Sequence, residues 1–170
     1  MPLAIAALPG VTEPPEQLHL TLVYLGDSTE QPLATNTARV IETVKRWATG
    51  AHPLTGTING AGRFFHAEKD GTNAVWASPD VAGLPELRQS LVDAIEAGGF
   101  DYAQGHGFTP HITVAYVPKD APTPPIRIDT PVSFGSVTLA WGDEQYDFPL
   151  GAAAATKAGD LGDYLVVEDR

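Results

Sequence analysis

The chain has 170 residues, 43% of them hydrophobic and 18% charged, with a formal net charge of −11 and no cysteine. That length suffices for one well-cored domain, and the lack of cysteine excludes disulfides and thiolate metal sites, as suits a cytoplasmic protein. The acidic balance argues against gripping long nucleic acid through its phosphates, which takes clustered Lys and Arg, but a small anionic ligand in one local pocket fits it.

In chain order, residues 3–8 read as a buried first strand rather than a signal peptide, since no basic segment precedes them and Pro9-Gly10 follows early. No apolar run approaches the roughly 18 residues of a membrane helix. Val11 to Glu16 is a Pro-rich loop leading into Gln17-Leu18-His19-Leu20-Thr21-Leu22-Val23-Tyr24, an alternating strand. From Pro32 to Ala48 the spacing turns helical, with Leu33, Val40, Ile41, Val44, Trp47 and Ala48 on one face, and Gly50 and Pro53 end it. Leu54 to Ile58 reads as a strand and Asn59-Gly60-Ala61-Gly62 as a turn before Arg63-Phe64-Phe65. Asp70-Gly71 signals a hairpin ahead of a short strand, Ala74 to Ala77. A second helix runs from Leu84 to about Ala97, with Pro85 in its first turn, Leu87, Leu91, Ala94 and Ile95 on its apolar face, and Gly98-Gly99 as its stop. After a loop to Gly107 comes Phe108-Thr109-Pro110-His111-Ile112-Thr113-Val114, a second alternating strand. A Pro-rich connector, Pro118 to Pro125, then leads to strands near Val132 to Ala140 and Gln145 to Leu150. Residues 151–170 read as a small-residue linker and a solvated acidic tail, leaving 1–150 as the domain.

The two alternating strands carry the same His-x-Thr, one in each half of the chain. Because successive strand side chains point to opposite faces, each motif sets an imidazole and a hydroxyl side by side over an apolar underside. One such pair is usually an ordinary half-exposed strand, but two copies, one per half, point to a shared site. Histidine, with an ordinary pKa of about 6.5, takes both protonation states near neutral pH. One neutral ring acts as base while a protonated partner acts as acid. Two imidazoles and two hydroxyls make a four-membered cradle for a tetrahedral phosphate, chemistry that needs no metal. The carboxylate cluster or i,i+4 His pair of a catalytic zinc site is absent from the sequence. The element order predicts an α+β protein of two similar lobes, helices outside, with the motif strands facing each other across a cleft.

His19-Leu20-Thr21-Leu22 and Pro110-His111-Ile112-Thr113-Val114 resemble the paired motifs of the 2H phosphoesterase superfamily, in its LigT-like (2′-5′ RNA ligase-like) branch. Gly60-Ala61-Gly62-Arg63-Phe64, Val75-Trp76, the Leu84–Ile95 helix and Tyr146-Asp147-Phe148-Pro149-Leu150 extend the likeness over about residues 1–150. The resemblance implies a bilobal α+β fold, two pseudo-symmetric lobes whose antiparallel sheets line a central cleft. It also implies metal-independent, cofactor-free hydrolysis of 2′,3′-cyclic phosphates, 2′-5′-linked or small cyclic oligonucleotides. His19 and His111 would then be the catalytic pair, with Thr21 and Thr113 holding phosphate oxygens. The acidic charge fits a tRNA-processing member poorly and suits one acting on a small nucleotide, as phage members that destroy cyclic nucleotide signals do. A monomer in the cytoplasm is expected, in the host's cytoplasm if virus-encoded. Two other readings use the same residues: reversible RNA ligation, and a nucleotide-binding module of a larger polypeptide with little turnover.

Four further residues are candidates for substrate contact. Arg63 follows a Gly-rich turn from which a guanidinium reaches phosphate, although an exposed Arg is the commoner explanation. Phe108 and Trp141 are placed to stack a base at the cleft mouth, where packing is the commoner role of aromatics. His106 lies five residues before His111, while His52 and His66 read as surface residues. Tyr24 and Tyr116 each lie three residues past their Thr, so parity turns them away from the histidine face unless the strands bulge.

Overall fold

The computed structural model describes residues 8–65, 71–105, 107–151 and 163–168. The expected strand over residues 3–8 falls almost wholly outside them, and His66, Asp70, His106, the linker from Ala152 to Lys157 and the start of the acidic end lie outside them too. The elements are β1 (His19–Tyr24), α1 (Thr37–Gly50), β2 (Leu54–Phe64), β3 (Thr72–Val81), α2 (Leu84–Ala97), β4 (Ile112–Pro118), β5 (Thr130–Trp141), β6 (Glu144–Pro149) and β7 (Asp163–Glu168). The α+β expectation holds. Among the described residues no helix is long and apolar enough to cross a membrane.

The strands form one curled sheet in the order β2-β3-β4-β1-β7-β5-β6, and β2 pairs back onto β5. The two halves of the chain therefore share a continuous hydrogen-bonded surface, joined where Leu20 of β1 meets Ile112 of β4 in antiparallel register. Both of those residues are buried, at 0% and 2% exposure. They belong to the same core cluster as Val40, Val44 and Ala48 of α1 and Leu84, Leu91, Val92 and Ile95 of α2. Burying each such aliphatic side chain contributes about 1.5–3 kcal/mol, so the apolar undersides of the motif strands hold their polar faces in place. Trp47 Nε1 donates to Ser90 Oγ at 2.9 Å and ties the two helices together.

α2 spans the predicted residues, with Pro85 in its first turn. α1 begins later than its periodicity predicts, because Leu33 to Thr35 form a separate 3-10 turn that buries Leu33. Asn36 divides the two, donating its side-chain amide to Pro32 O at 2.7 Å. The expected turn at residues 59–62 does not form. β2 runs straight through it with a single register shift between Ile58 and Gly60. Two of its glycines, Gly56 and Gly62, serve close packing instead: a Cβ at Gly56 would lie 2.1 Å from Asp80 O, and one at Gly62 would lie 2.2 Å from the Trp76 indole.

The acidic end also departs from the expected solvated tail. Asp163–Glu168 is a strand lying parallel to both β1 and β5, filling the gap between them. Val167 is fully buried, which explains an apolar residue at that position within an otherwise polar stretch.

Candidate active site

The antiparallel register at Leu20↔Ile112, carried one residue each way, sets His19 beside Thr113 and Thr21 beside His111. All four side chains share the face opposite the core, and all four residues are half-buried. Directly opposed residues place their Cβ atoms about 4.5–5.5 Å apart, and diagonal ones about 7–8 Å. The two imidazoles thus form one diagonal of a small quadrilateral and the two hydroxyls the other.

Each histidine is oriented in the same way. His19 Nδ1 donates to Gln17 O at 2.7 Å, and His111 Nδ1 donates to Thr109 O at 2.8 Å. A carbonyl oxygen only accepts, so Nδ1 carries hydrogen in both rings, and in the neutral ring Nε2 carries the lone pair. The chain buckles identically just after each motif. β1 shifts register between Thr21 and Val23, and β4 between Thr113 and Ala115. At each shift two successive residues are buried: Leu22 with Val23, and Val114 with Ala115. The two bulge carbonyls are held from outside their strands. Val114 O accepts from the Thr12 and Glu13 amides at 2.9 and 3.1 Å, and Leu22 O accepts from Arg88 Nε at 3.0 Å.

These bulges change the parity of everything beyond them. Tyr24 returns to the histidine face and lines a cavity of about 350 Å³ beside Thr21 and His111. Tyr116, at the matching place in β4, is 54% exposed. The cavity is closed by Phe64, Arg88, Phe108, Thr109 and the Gly105 and Gly107 backbone. His19 and Thr113 form the other side of the quadrilateral and are not part of its lining. Around His111 stands an aromatic wall: Phe64 meets the imidazole edge-on at 5.1 Å between centroids and Trp76 at 6.2 Å.

The further candidates divide. Phe108 lines the cavity, with the Arg88 guanidinium 4.7 Å from its ring centre. His106 lies outside the described residues. Trp141 is 7% exposed within the core cluster, where its size contributes packing, and it does not reach the cavity. Arg63 is also absent from the lining, because its guanidinium holds the Pro-rich connector. Its Nη1 donates to Ala121 O at 2.6 Å, and its Nη2 to Pro118 O at 2.8 Å and Lys119 O at 3.0 Å. Arg63→Ala is therefore expected to cost about 2 kcal/mol, as several hydrogen bonds from a charged donor are lost. At this chain length that lowers the melting temperature by about 4–8 °C. A calorimetric scan checks it, and an unmoved melting temperature with a raised KM would restore a substrate role to Arg63.

Arg88 is a residue that the sequence reading missed. It shares one side of α2 with Leu84 and Val92, four residues away in each direction and both 1% exposed. A cation at an apolar position of a buried helix stripe is a signal that marks it.

The chain matches the family model described as the 2′-5′ RNA ligase superfamily over residues 12–139. The chain belongs to that superfamily. The match takes in both His-x-Thr strands and the helix that carries Arg88. A relative described as an RNA 2′,3′-cyclic phosphodiesterase, from Thermus thermophilus, is 32% identical over 143 residues, which is 78% of this chain and 63% of the relative. The chain thus spans less than two thirds of that relative's length. Two solved structures are also similar. A crystal structure of a Thermus thermophilus protein shares 26% identity with a TM-score of 0.46, covering 81% of this chain and 78% of the other. A crystal structure titled as a phosphoesterase shares 23% identity with a TM-score of 0.47, covering 81% of each chain.

Proposed function

We propose that the chain hydrolyses a phosphodiester of a small nucleotide, a 2′,3′-cyclic phosphate foremost, by paired-histidine acid and base catalysis. The observation that carries this reading is the diagonal of two imidazoles, each tied through Nδ1 to a carbonyl two residues upstream. Membership of the 2′-5′ RNA ligase superfamily and the phosphodiesterase relative support it.

The phosphate sits over the quadrilateral, with Thr21 and Thr113 donating to its non-bridging oxygens. One histidine, neutral, takes a proton from water through Nε2 as the water oxygen bonds to phosphorus. The other, protonated, gives its Nε2 proton to the departing ribose oxygen as that phosphorus–oxygen bond breaks. The product is a nucleoside phosphomonoester, and the pair ends with one proton exchanged between its members. The nucleoside lies in the adjoining cavity, whose volume falls within the roughly 300–1,000 Å³ usual for small-molecule sites.

The test is turnover in EDTA of 2′,3′-cyclic mononucleotides, 2′-5′ oligoadenylate, and cyclic di- and trinucleotides. Metal-independent opening of the 2′,3′-cyclic phosphates is the expected result. Binding without turnover of any of these compounds would overturn the enzymatic reading in favour of a nucleotide-binding module.

A further inference from the structure

Arg88 is a half-buried cation with most of its hydrogen-bonding capacity unspent. Its Nε is committed to Leu22 O at 3.0 Å, and its guanidinium carbon lies 4.7 Å from the Phe108 ring centre and 5.8 Å from that of Tyr102. Among the described residues its two terminal nitrogens have no hydrogen-bond or ion-pair partner, although the chain carries 21 acidic residues against 10 basic ones. A partly buried charge is costly unless it is paired. An acidic protein that keeps a guanidinium in a cavity wall, unpaired with any carboxylate among the described residues, leaves that pairing to the ligand. Because Nε is bonded and aromatic rings already stand by the guanidinium, the edge of its two terminal nitrogens is a two-pronged donor suited to a phosphate or carboxylate, and less to a stacked base.

The reacting phosphate already has the imidazoles and hydroxyls of His19, Thr21, His111 and Thr113. Arg88 enters from α2 and lines the adjoining cavity with Thr21 and His111, held at the Leu22 carbonyl that follows the first motif. We infer that Arg88 binds a second phosphate of the substrate, the one on the 5′ side of the nucleoside whose cyclic phosphate is opened. This rests on the hydrolytic reading above and sharpens it: the substrate is a 5′-phosphorylated nucleotide, or the 3′-terminal nucleotide of an oligonucleotide, rather than a nucleoside 2′,3′-cyclic phosphate with no other charge.

Two measurements test it together. In the first, kcat/KM is compared for adenosine 2′,3′-cyclic phosphate, its 5′-phosphorylated form, and a dinucleotide ending in a 2′,3′-cyclic phosphate. The wild-type chain is expected to favour one or both of the forms carrying the second phosphate by tenfold or more. Preference for the first of these forms identifies a free 5′-monoester, and preference for the second an internucleotide diester. In Arg88→Met the preference should shrink by about tenfold to a hundredfold, mainly through KM, the scale of a charge-assisted hydrogen-bond pair. Arg88→Lys should keep part of it, restoring charge without the fork. Equal losses on all three substrates, carried by kcat, would place Arg88 on the reacting phosphate and overturn the inference.

The second measurement is calorimetric binding of adenosine 5′-monophosphate and adenosine to wild-type chain and both variants. Tighter binding of the phosphorylated probe that Arg88→Met abolishes supports the inference even where no substrate is turned over, which would count against hydrolysis alone. Equal binding of the two probes, no binding of the monophosphate, or a preference that persists in Arg88→Met sinks the inference.

Discussion

Alanine at either His19 or His111 is expected to lower kcat/KM for a 2′,3′-cyclic nucleotide by at least ~100-fold, the scale of losing a general acid or base. The geometry makes the two losses comparable, since both rings lie at matching corners of one quadrilateral and both are tied by Nδ1 to a carbonyl. Because acid and base act in one step, the double variant should be about as slow as the slower single variant rather than slower by the product. The pH dependence follows from the same division of labour. As pH falls the base is protonated and the rate drops. As pH rises the acid loses its proton and the rate drops again, so the profile is bell-shaped, with apparent values belonging to the pair. Each single variant removes one of the two groups, so its residual activity should lose one limb of the bell. The variant that loses the acidic limb identifies the base. A flat profile between pH 5 and 9, or an alanine variant within tenfold of the wild type, would refute paired acid and base catalysis.

How far the site could be read in advance depended on whether strand parity survived. His19, Thr21, His111 and Thr113 were legible because each motif precedes its bulge, so simple alternation places all four on one face. Beyond Leu22 and Val114 the alternation breaks, and Tyr24 could not be placed without knowing that a bulge follows. Helix α2 was legible end to end because Pro85, its apolar stripe and Gly98-Gly99 agree. α1 was misplaced at its start because Leu33 satisfies the helical period from within a separate turn. The Gly60-Ala61-Gly62 run was misread because glycine signals a turn and close packing alike. Only the partner strand decides between them, and here β3 does. β7 was missed because its acidic surroundings outweigh a short apolar run that pairs with two other strands. The pairing of His19 with Thr113 and of Thr21 with His111 is a long-range register, which no local pattern encodes.

Gly62→Ala should impair the reaction although the added methyl touches no substrate. Gly62 lies opposite Trp76 in the β2–β3 register, and the indole covers the glycine. An added Cβ would stand 2.2, 2.6 and 2.7 Å from three atoms of a rigid ring, against an ordinary contact of 3.4–4 Å. The indole must therefore move, and it has few directions open to it. Phe64 packs against it at 5.4 Å, and both rings abut the His111 imidazole. Trp76 Nε1 is already buried without a hydrogen-bond partner among the described residues, a cost that close packing must offset. Overpacking of this kind typically costs about 1–3 kcal/mol. The displacement also passes to His111, whose ring has Thr109 O on one side and the aromatic wall on another. A shift of about an ångström in a catalytic group is worth on the order of 100-fold in rate, so the loss should appear in kcat more than in KM. Gly60→Ala, on the same strand as Gly62, is the matched control, because its Cβ would meet only Ser78 Cβ of β3 at 3.7 Å, an ordinary contact. It should retain near-wild-type turnover. If Gly62→Ala is folded and turns over within about threefold of Gly60→Ala, far short of the loss that mispositioning predicts, the aromatic wall supports the fold without orienting His111.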